Sequence, residues 1–118
     1  MSSRSIVAIV GPTGVGKTAL AVGLAQRVAG EIVSADSRQF YRGMDIGTAK
    51  PSPQELALAR HHLIDIAEPD ESVSLAQFRA LAGAAVADIH GRGRLPIMVG
   101  GTGQYMWGFL EGWDVPQA

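Results

Sequence analysis

The residues best suited to chemistry form the octapeptide "GPTGVGKT" (11–18), which fits the pattern G-x-x-x-x-G-K-[ST] in full. Its members are Gly11, Pro12, Thr13, Gly14, Val15, Gly16, Lys17 and Thr18. The glycines allow backbone N–H groups to surround an anion, and the following helix adds its dipole. Lys17 would contact terminal phosphate oxygens, and the Thr18 hydroxyl would bind Mg²⁺. The pattern predicts a di- or triphosphate site rather than a tight turn without a ligand.

A second candidate is Asp36, which directly follows the apolar stretch "EIVSA" (31–35). Ligands of open α/β sheets bind outside the carboxyl ends of the strands, and the octapeptide leaves the first predicted strand at that edge. We therefore expect Asp36 to face the phosphate site across a gap that a second substrate could occupy. Its carboxylate could act as a general base or orient a nucleophile. It could equally close a turn, and its position favours neither interpretation.

The segment "VGGTGQY" supplies a third candidate, Thr102, preceded by Gly100 and Gly101 at the end of another apolar run. The Thr102 hydroxyl could donate to a leaving phosphate oxygen while the two glycines allow close approach. Alternatively, Thr102 only caps the next helix. The run "LPIMVG" is not followed by Asp or Glu, which NTPases commonly use there to bind Mg²⁺. That composition weighs against a motor protein or a GTPase.

These loops need a scaffold, and the chain alternates predicted strands with predicted helices. The continuous apolar run "SIVAIV" (5–10) is typical of a strand buried on both faces. Further strands are predicted at "EIVSA" (31–35) and "PIMVGG" (96–101), and "HLIDI" (62–66) is a possible third strand between them. The alternation predicts an α/β fold with a three-layer, parallel sheet like that of P-loop NTPases.

Four helices are predicted from periodicity and capping signals. In the first, Leu20, Leu24 and Val28 recur every fourth residue, and Gly30 is the stop. "SPQE" (52–55) and "SLAQ" (74–77) read as capping boxes that begin a short helix ending near Arg60 and a long one ending at His90. The apolar stripe of the long helix is Leu75, Phe78, Ala82, Ala85, Val86 and Ile89. The last helix is expected to begin at Thr102.

The length, net charge and amino-acid composition of the chain exclude several kinds of protein. A chain of 118 residues suffices for one small domain, and a net charge of −1 means that any nucleic-acid contact must come from a local patch. The absence of Cys excludes a disulfide framework and thiolate metal sites. Apolar runs are too short for a signal peptide or a membrane span, so a cytoplasmic protein that does not bind membranes is expected.

Other polar and aromatic residues carry weaker signals. Local positive charge that could face RNA phosphates, or simply solvent, comes from Arg42, Lys50, Arg60, His61 and His62. The "HH" pair has no further ligands at metal-site spacing, so a zinc site is rejected. Tyr105, Trp107 and Trp113 could stack on bases, but their spacing favours core or interface positions.

Four segments together, "GPTGVGKT", "SADSRQFYRGMDIGTAKP", "HHLID" and "VGGTGQY", resemble the tRNA dimethylallyltransferases, also called tRNA isopentenyltransferases. The resemblance runs from about Ile6 to Gly112. It implies transfer of a dimethylallyl group from dimethylallyl diphosphate to N6 of an adenosine next to the tRNA anticodon. It also implies that the P-loop holds a diphosphate leaving group rather than ATP, with Mg²⁺ as cofactor.

The resemblance further implies roles for the candidate residues. Asp36 would take the proton of the adenine amine, while Lys17 and Thr102 would stabilise the departing pyrophosphate. Contacts to the tRNA, whose target base must leave its stack, would come from Asp36, Ser37, Arg38, Gln39 and Thr102. A monomer is expected.

Members of that family are considerably longer than this chain, and their tRNA-clamping helical insertion lies beyond residue 118. We therefore expect residues 1–118 to be the N-terminal part of a P-loop catalytic core, with an incomplete sheet and weak or no tRNA modification alone. The alternatives are a small ATP-dependent metabolite kinase, an adenine-nucleotide prenyltransferase and an anion-binding fragment without turnover. Such kinases normally carry an Arg-bearing lid, which this sequence does not show.

Overall fold

The computed structural model describes residues 5–11, 16–36, 51–68, 70–101 and 104–111. These ranges contain four strands, β1 (Val7–Val10), β2 (Gly30–Ser34), β3 (His61–His62) and β4 (Leu95–Gly100). They also contain four helices, α1 (Lys17–Val28), α2 (Pro53–Leu58), α3 (Leu75–Gly91) and α4 (Gln104–Glu111). The strands form one sheet in the order β1-β4-β2-β3, and every pairing is parallel.

Strand β4 lies between the two strands that precede the candidate loops. Its Ile97 pairs with Val7 of β1 on one side and with Ile32 of β2 on the other. All strands run the same way, so the ends of β1, β2 and β4 meet at one edge of the sheet. We call this the carboxyl edge, and the opposite edge, where the strands begin, the amino edge.

Two apolar clusters cover the two faces of the sheet. In the first, Ala21, Val22 and Ala25 of α1 and Ala59, which follows α2, pack against Ile32, Leu95, Ile97 and Val99. The second joins Val33 and Met98 to α3 and α4 and includes Phe78, Val86, Ile89, Met106 and Phe109. Helices therefore lie on both faces, which confirms the predicted three-layer α/β fold.

The predicted capping boxes are both present. Ser52 Oγ accepts from the Glu55 N–H at 3.1 Å, and Glu55 Oε1 accepts from the Ser52 N–H at 2.9 Å. Ser74 and Gln77 make the same reciprocal pair at the start of α3. Five of the six residues of the predicted α3 stripe are buried, and Leu75 is partly buried.

The predicted apolar stripe of α1 was partly right: Leu24 and Val28 pack against the first apolar cluster, whereas Leu20 is exposed. Leu20 is 63% exposed, whereas Ala21 and Ala25 are almost fully buried. Small side chains let the helix lie close to the sheet, so Ala21 and Ala25 are buried at the contact while Leu20 is left exposed. The helix ends at Val28, with Ala29 in a left-handed conformation, and Gly30 already belongs to β2.

The predicted strand at 62–66 was also too long. Only His61–His62 pairs with β2, because Leu63 (φ 68°) and Asp65 (φ 57°) adopt left-handed conformations that end the extended chain. Strand β4 ends one residue before the predicted Gly101. The expected helix start at Thr102 lies outside the described residues, and α4 is described from Gln104.

Candidate functional site

The structure places the described candidate residues at the carboxyl edge. Gly11 follows β1, Gly16–Thr18 form the start of α1, and Asp36 follows β2 by two residues. The remaining predicted members of the site lie outside the described residues: Pro12, Thr13, Gly14, Val15, Ser37, Arg38, Gln39 and Thr102.

Lys17 is held at the junction of β1 and β4. Its Nζ donates to the backbone carbonyls of Gly11 and of Gly100, the latter at 3.2 Å. Gly16 precedes it with φ 76°, a conformation that favours glycine and turns the chain into α1. The ammonium group is thus bound by neutral carbonyl groups at the N-terminus of a 12-residue helix. Such an arrangement suits the capture of an anion.

Thr18 is the residue on which the predicted Mg²⁺ depends. It is half-buried in the first turn of α1, directly after Lys17. No group of three or more His, Cys, Asp or Glu side chains that could hold a metal occurs among the described residues. Mg²⁺ commonly takes one or two protein ligands and completes its shell with water and substrate phosphates. A single hydroxyl in the first turn of α1 is compatible with this kind of Mg²⁺ binding.

Asp36 lies beyond the end of β2 and is half-buried. Its N–H donates to Ser34 Oγ at 3.4 Å, and the preceding Ala35 N–H continues the ladder to Val99 O at 2.8 Å. Since β4 separates β2 from β1, Asp36 stands two strand spacings, about 10 Å, from the start of the phosphate loop. Strand β4 lies between them, and the space for a second substrate in front of this edge stays a prediction.

A second charged centre, at the amino edge, was missed by the sequence analysis. Glu31 in β2 is only 2% exposed. Arg92 donates to both of its carboxylate oxygens, and Arg94 Nε lies at 2.9 Å and His62 Nε2 at 2.7 Å. The Arg92 guanidinium, together with His62, lowers the pKa of the Glu31 carboxyl to about 2 although burial opposes the shift. The available signal was a glutamate inside a continuous apolar strand.

This centre changes the interpretation of the positive charges around the second motif. His62 binds Glu31, and Arg60 Nε lies 3.8 Å from it. His61 has its Nδ1 2.8 Å from Ala59 O, and burial lowers the pKa of its imidazole. Glu31 is the second residue of β2, so its contacts with Arg60 and His62 lie away from Lys17, and His62 has a structural partner in Glu31. Arg42 and Lys50 lie outside the described residues.

The aromatic residues of α4 divide into two kinds. The Tyr105 hydroxyl donates to Val73 O at 2.5 Å, and its ring packs edge-on against Phe78 with centroids 5.2 Å apart. Tyr105 is therefore part of the core, as predicted. Trp107 is 50% exposed, so it is not a core residue, and the interface position stays a prediction. Trp113 lies outside the described residues.

Comparison with known proteins gives consistent matches. A family model described as IPP transferase matches residues 39–118. The tRNA dimethylallyltransferase of Chloroflexus aurantiacus is 70% identical over 114 residues, which are 97% of this chain and 38% of that protein. That of Chloroflexus aggregans is 66% identical over the same length, again 97% of this chain and 38% of the relative. The chain thus spans about 38% of the length of these relatives.

Solved structures agree. The crystal structure of the full-length tRNA isopentenylpyrophosphate transferase from Bacillus halodurans has a TM-score of 0.88 at 52% identity, covering 97% of this chain and 38% of that one. A eukaryotic dimethylallyltransferase acting on tRNA has a TM-score of 0.82 at 38% identity, covering 87% of this chain and 26% of that one.

Proposed function

Because the chain belongs to the IPP transferase family, we propose that it contributes the phosphate-binding edge of a tRNA dimethylallyltransferase. The reaction is transfer of a dimethylallyl group from dimethylallyl diphosphate to N6 of an adenosine next to the anticodon. The family match confirms the resemblance carried by the four sequence segments. One observation carries the proposal: Lys17 is bound only two strands away from Asp36, at the edge where α/β sheets bind ligands.

The phosphate side of this edge suits a diphosphate leaving group. When an allylic carbon–oxygen bond breaks, negative charge builds up on the departing pyrophosphate, and groups that stabilise it lower the barrier. Lys17 can exchange its carbonyl partners for phosphate oxygens, since an ammonium group has three donors on a flexible stem. We assign the same task to the backbone N–H groups of the phosphate loop that follows Gly11 and to Thr102.

The acceptor side needs a base. The amine of adenine is a weak nucleophile because its lone pair is delocalised into the ring. A carboxylate that accepts its hydrogen bond and then its proton strengthens the attack, and Asp36 is the residue we assign to that step. Ser37, Arg38 and Gln39, which follow it in sequence, are assigned to contacts with the extruded nucleotide of the tRNA.

Mg²⁺ belongs to the proposal as the partner of the diphosphate. When bound, it would neutralise part of the charge on the phosphate oxygens. Thr18 is the described residue that would hold it, through its hydroxyl. The function also implies a cytoplasmic, monomeric protein, and these two points remain predictions. Within the described part of the chain, no helix has the length and apolarity that crossing a membrane requires.

Calorimetric titration of the chain with dimethylallyl diphosphate and with ATP, each with Mg²⁺, tests the proposal. We expect tighter binding of dimethylallyl diphosphate, because the pocket should recognise the apolar tail as well as the phosphates. Preference for ATP would replace the transferase with the kinase alternative. Asp36→Asn should leave the diphosphate affinity unchanged, and a large loss of affinity in that variant would contradict its assignment to the acceptor.

A further inference from the structure

Gly100 occupies the point where the two halves of the candidate site meet. It is the last residue of β4, paired with Val10 of β1, and on its other side it lies against Ala35, the residue before Asp36. A Cβ atom at this position would stand 2.9 Å from Ala35 O and 3.0 Å from both the carbonyl carbon and the Cβ of Ala35. Two of these atoms are backbone, so a side chain fits only if β2 and β4 move apart.

The carbonyl of Gly100 faces the other half of the site. It accepts from Lys17 Nζ at 3.2 Å and from the Gly11 N–H at 3.3 Å. The same residue therefore contacts the strand that leads to Asp36, the first residue of the phosphate loop, and the lysine of that loop.

We propose that Gly100 is a positioning residue, which fixes Lys17 and the start of the phosphate loop relative to Asp36. This proposal rests on the proposed function, in which Lys17 binds the diphosphate and Asp36 the acceptor, so that the distance between them matters for the reaction. An added methyl group would displace either Ala35, and with it Asp36, or the Gly100 carbonyl, and with it Lys17. The carbonyl also keeps the ammonium at the edge until an anion competes for it.

A matched control exists on the same pair of strands. Gly30 lies at the amino edge of β2, where a Cβ would stand 2.9 Å from Leu95 O and 2.7 Å from Ile97 Cδ1. Gly30→Ala therefore imposes the same kind of backbone clash between β2 and β4, but far from Lys17 and Asp36. A merely structural role of Gly100 would make the two variants alike.

The probe is inorganic pyrophosphate with Mg²⁺, titrated into the chain at a temperature where each variant is folded. We expect Gly100→Ala to weaken pyrophosphate binding at least about tenfold, the loss of one well-placed charge-assisted contact, and Gly30→Ala to weaken it less than about twofold. The amide signal of Asp36 should shift in Gly100→Ala and stay in place in Gly30→Ala. Equal losses in both variants, or no loss in Gly100→Ala, would overturn the proposal.

A measurement without substitution covers the case in which Gly100→Ala does not fold. In the unsubstituted chain labelled with carbonyl-¹³C glycine, saturation with pyrophosphate should shift the Gly100 signal, because Lys17 leaves that carbonyl, and should leave the Gly30 signal in place. A bound state in which the Gly100 signal is unmoved, or a chain that does not bind pyrophosphate, would contradict the proposal. Pyrophosphate has no prenyl group, so a preference for ATP would remove the transferase function and leave this result standing.

Discussion

The two edges of the sheet differ in the partners that surround their buried or half-buried charged group. At the amino edge, the carboxylate of Glu31 is buried among Arg92, Arg94, His62 and the more distant Arg60. At the carboxyl edge, the ammonium of Lys17 is bound by the neutral carbonyls of Gly11 and Gly100. A charge that is already neutralised by opposite charges gains little from binding a ligand. A charge held by carbonyl groups gains when a phosphate replaces them, and this difference supports the proposal that the carboxyl edge binds the ligand while the amino edge contributes stability.

The largest expected effect comes from removing the lysine. Lys17→Met should weaken binding of Mg²⁺–dimethylallyl diphosphate by about a hundredfold, because a charge-assisted contact to phosphate contributes roughly 1.5–3 kcal/mol. The thermal midpoint of unfolding should change little, since the lost partners are carbonyls at the rim of the sheet. Calorimetry and thermal unfolding measure the two quantities.

Arg27→Met is the matched control for the lysine, since it removes one positive charge from the last turn of the same helix. It should leave diphosphate affinity within about twofold, because exposed charges at a distance are screened by salt. If both variants lost the same affinity, net charge rather than the carboxyl edge would explain the binding.

The next effect tests the amino edge. Glu31→Ala should lower the free energy of unfolding by about 2–3 kcal/mol, because it leaves three guanidinium groups without their shared buried carboxylate. The figure lies below that for a fully buried pair, since the arginine side chains are 34–62% exposed. Urea unfolding measures the loss, and diphosphate affinity of the folded variant should be unchanged.

Loss of diphosphate binding in folded Glu31→Ala would mean that the two edges are coupled and do not have separate roles. Asp88→Asn is the milder control at the same edge. Asp88 pairs with Arg92 at 2.8 Å but its side chain is 53% exposed, so its removal should leave the urea midpoint nearly unchanged.

The contribution of Glu31 to stability should depend on pH. The pKa of Glu31 is about 2 in the folded chain against 4.5 for an ordinary glutamate, so the folded state binds its proton less readily than the unfolded state. The stabilisation is complete above about pH 5 and is lost as the pH falls from 4.5 towards 2. We expect the stability difference between the unsubstituted chain and Glu31→Gln to shrink across this window. A difference that is constant from pH 6 to pH 2.5 would show that the carboxylate is not selectively stabilised.

The sequence predicted the fold better than it predicted these contacts. Continuous apolar runs predict buried strands, and "GPTGVGKT" predicts a phosphate loop, because both signals are local in the sequence. The role of Glu31 depends on Arg92, 61 residues later in the chain, and nothing near either residue indicates the pairing. The burial of Ala21 instead of Leu20 likewise depends on how closely α1 approaches the sheet. The requirement for glycine at position 100 arises from a neighbouring strand, which only the sheet order reveals.

The smallest effect concerns Arg60, the weakest member of the amino edge. Its Nε lies 3.8 Å from Glu31 Oε1 and its side chain is 62% exposed, so Arg60→Ala should change the free energy of unfolding by less than about 0.5 kcal/mol. His62 is only 13% exposed and lies 2.7 Å from the same oxygen, so His62→Ala should cost about 1–2 kcal/mol. Urea unfolding of the two variants ranks them. A larger loss in Arg60→Ala would show that long-range charge, rather than direct contact in a buried site, stabilises Glu31, and the amino edge would then resemble an ordinary exposed ion-pair network.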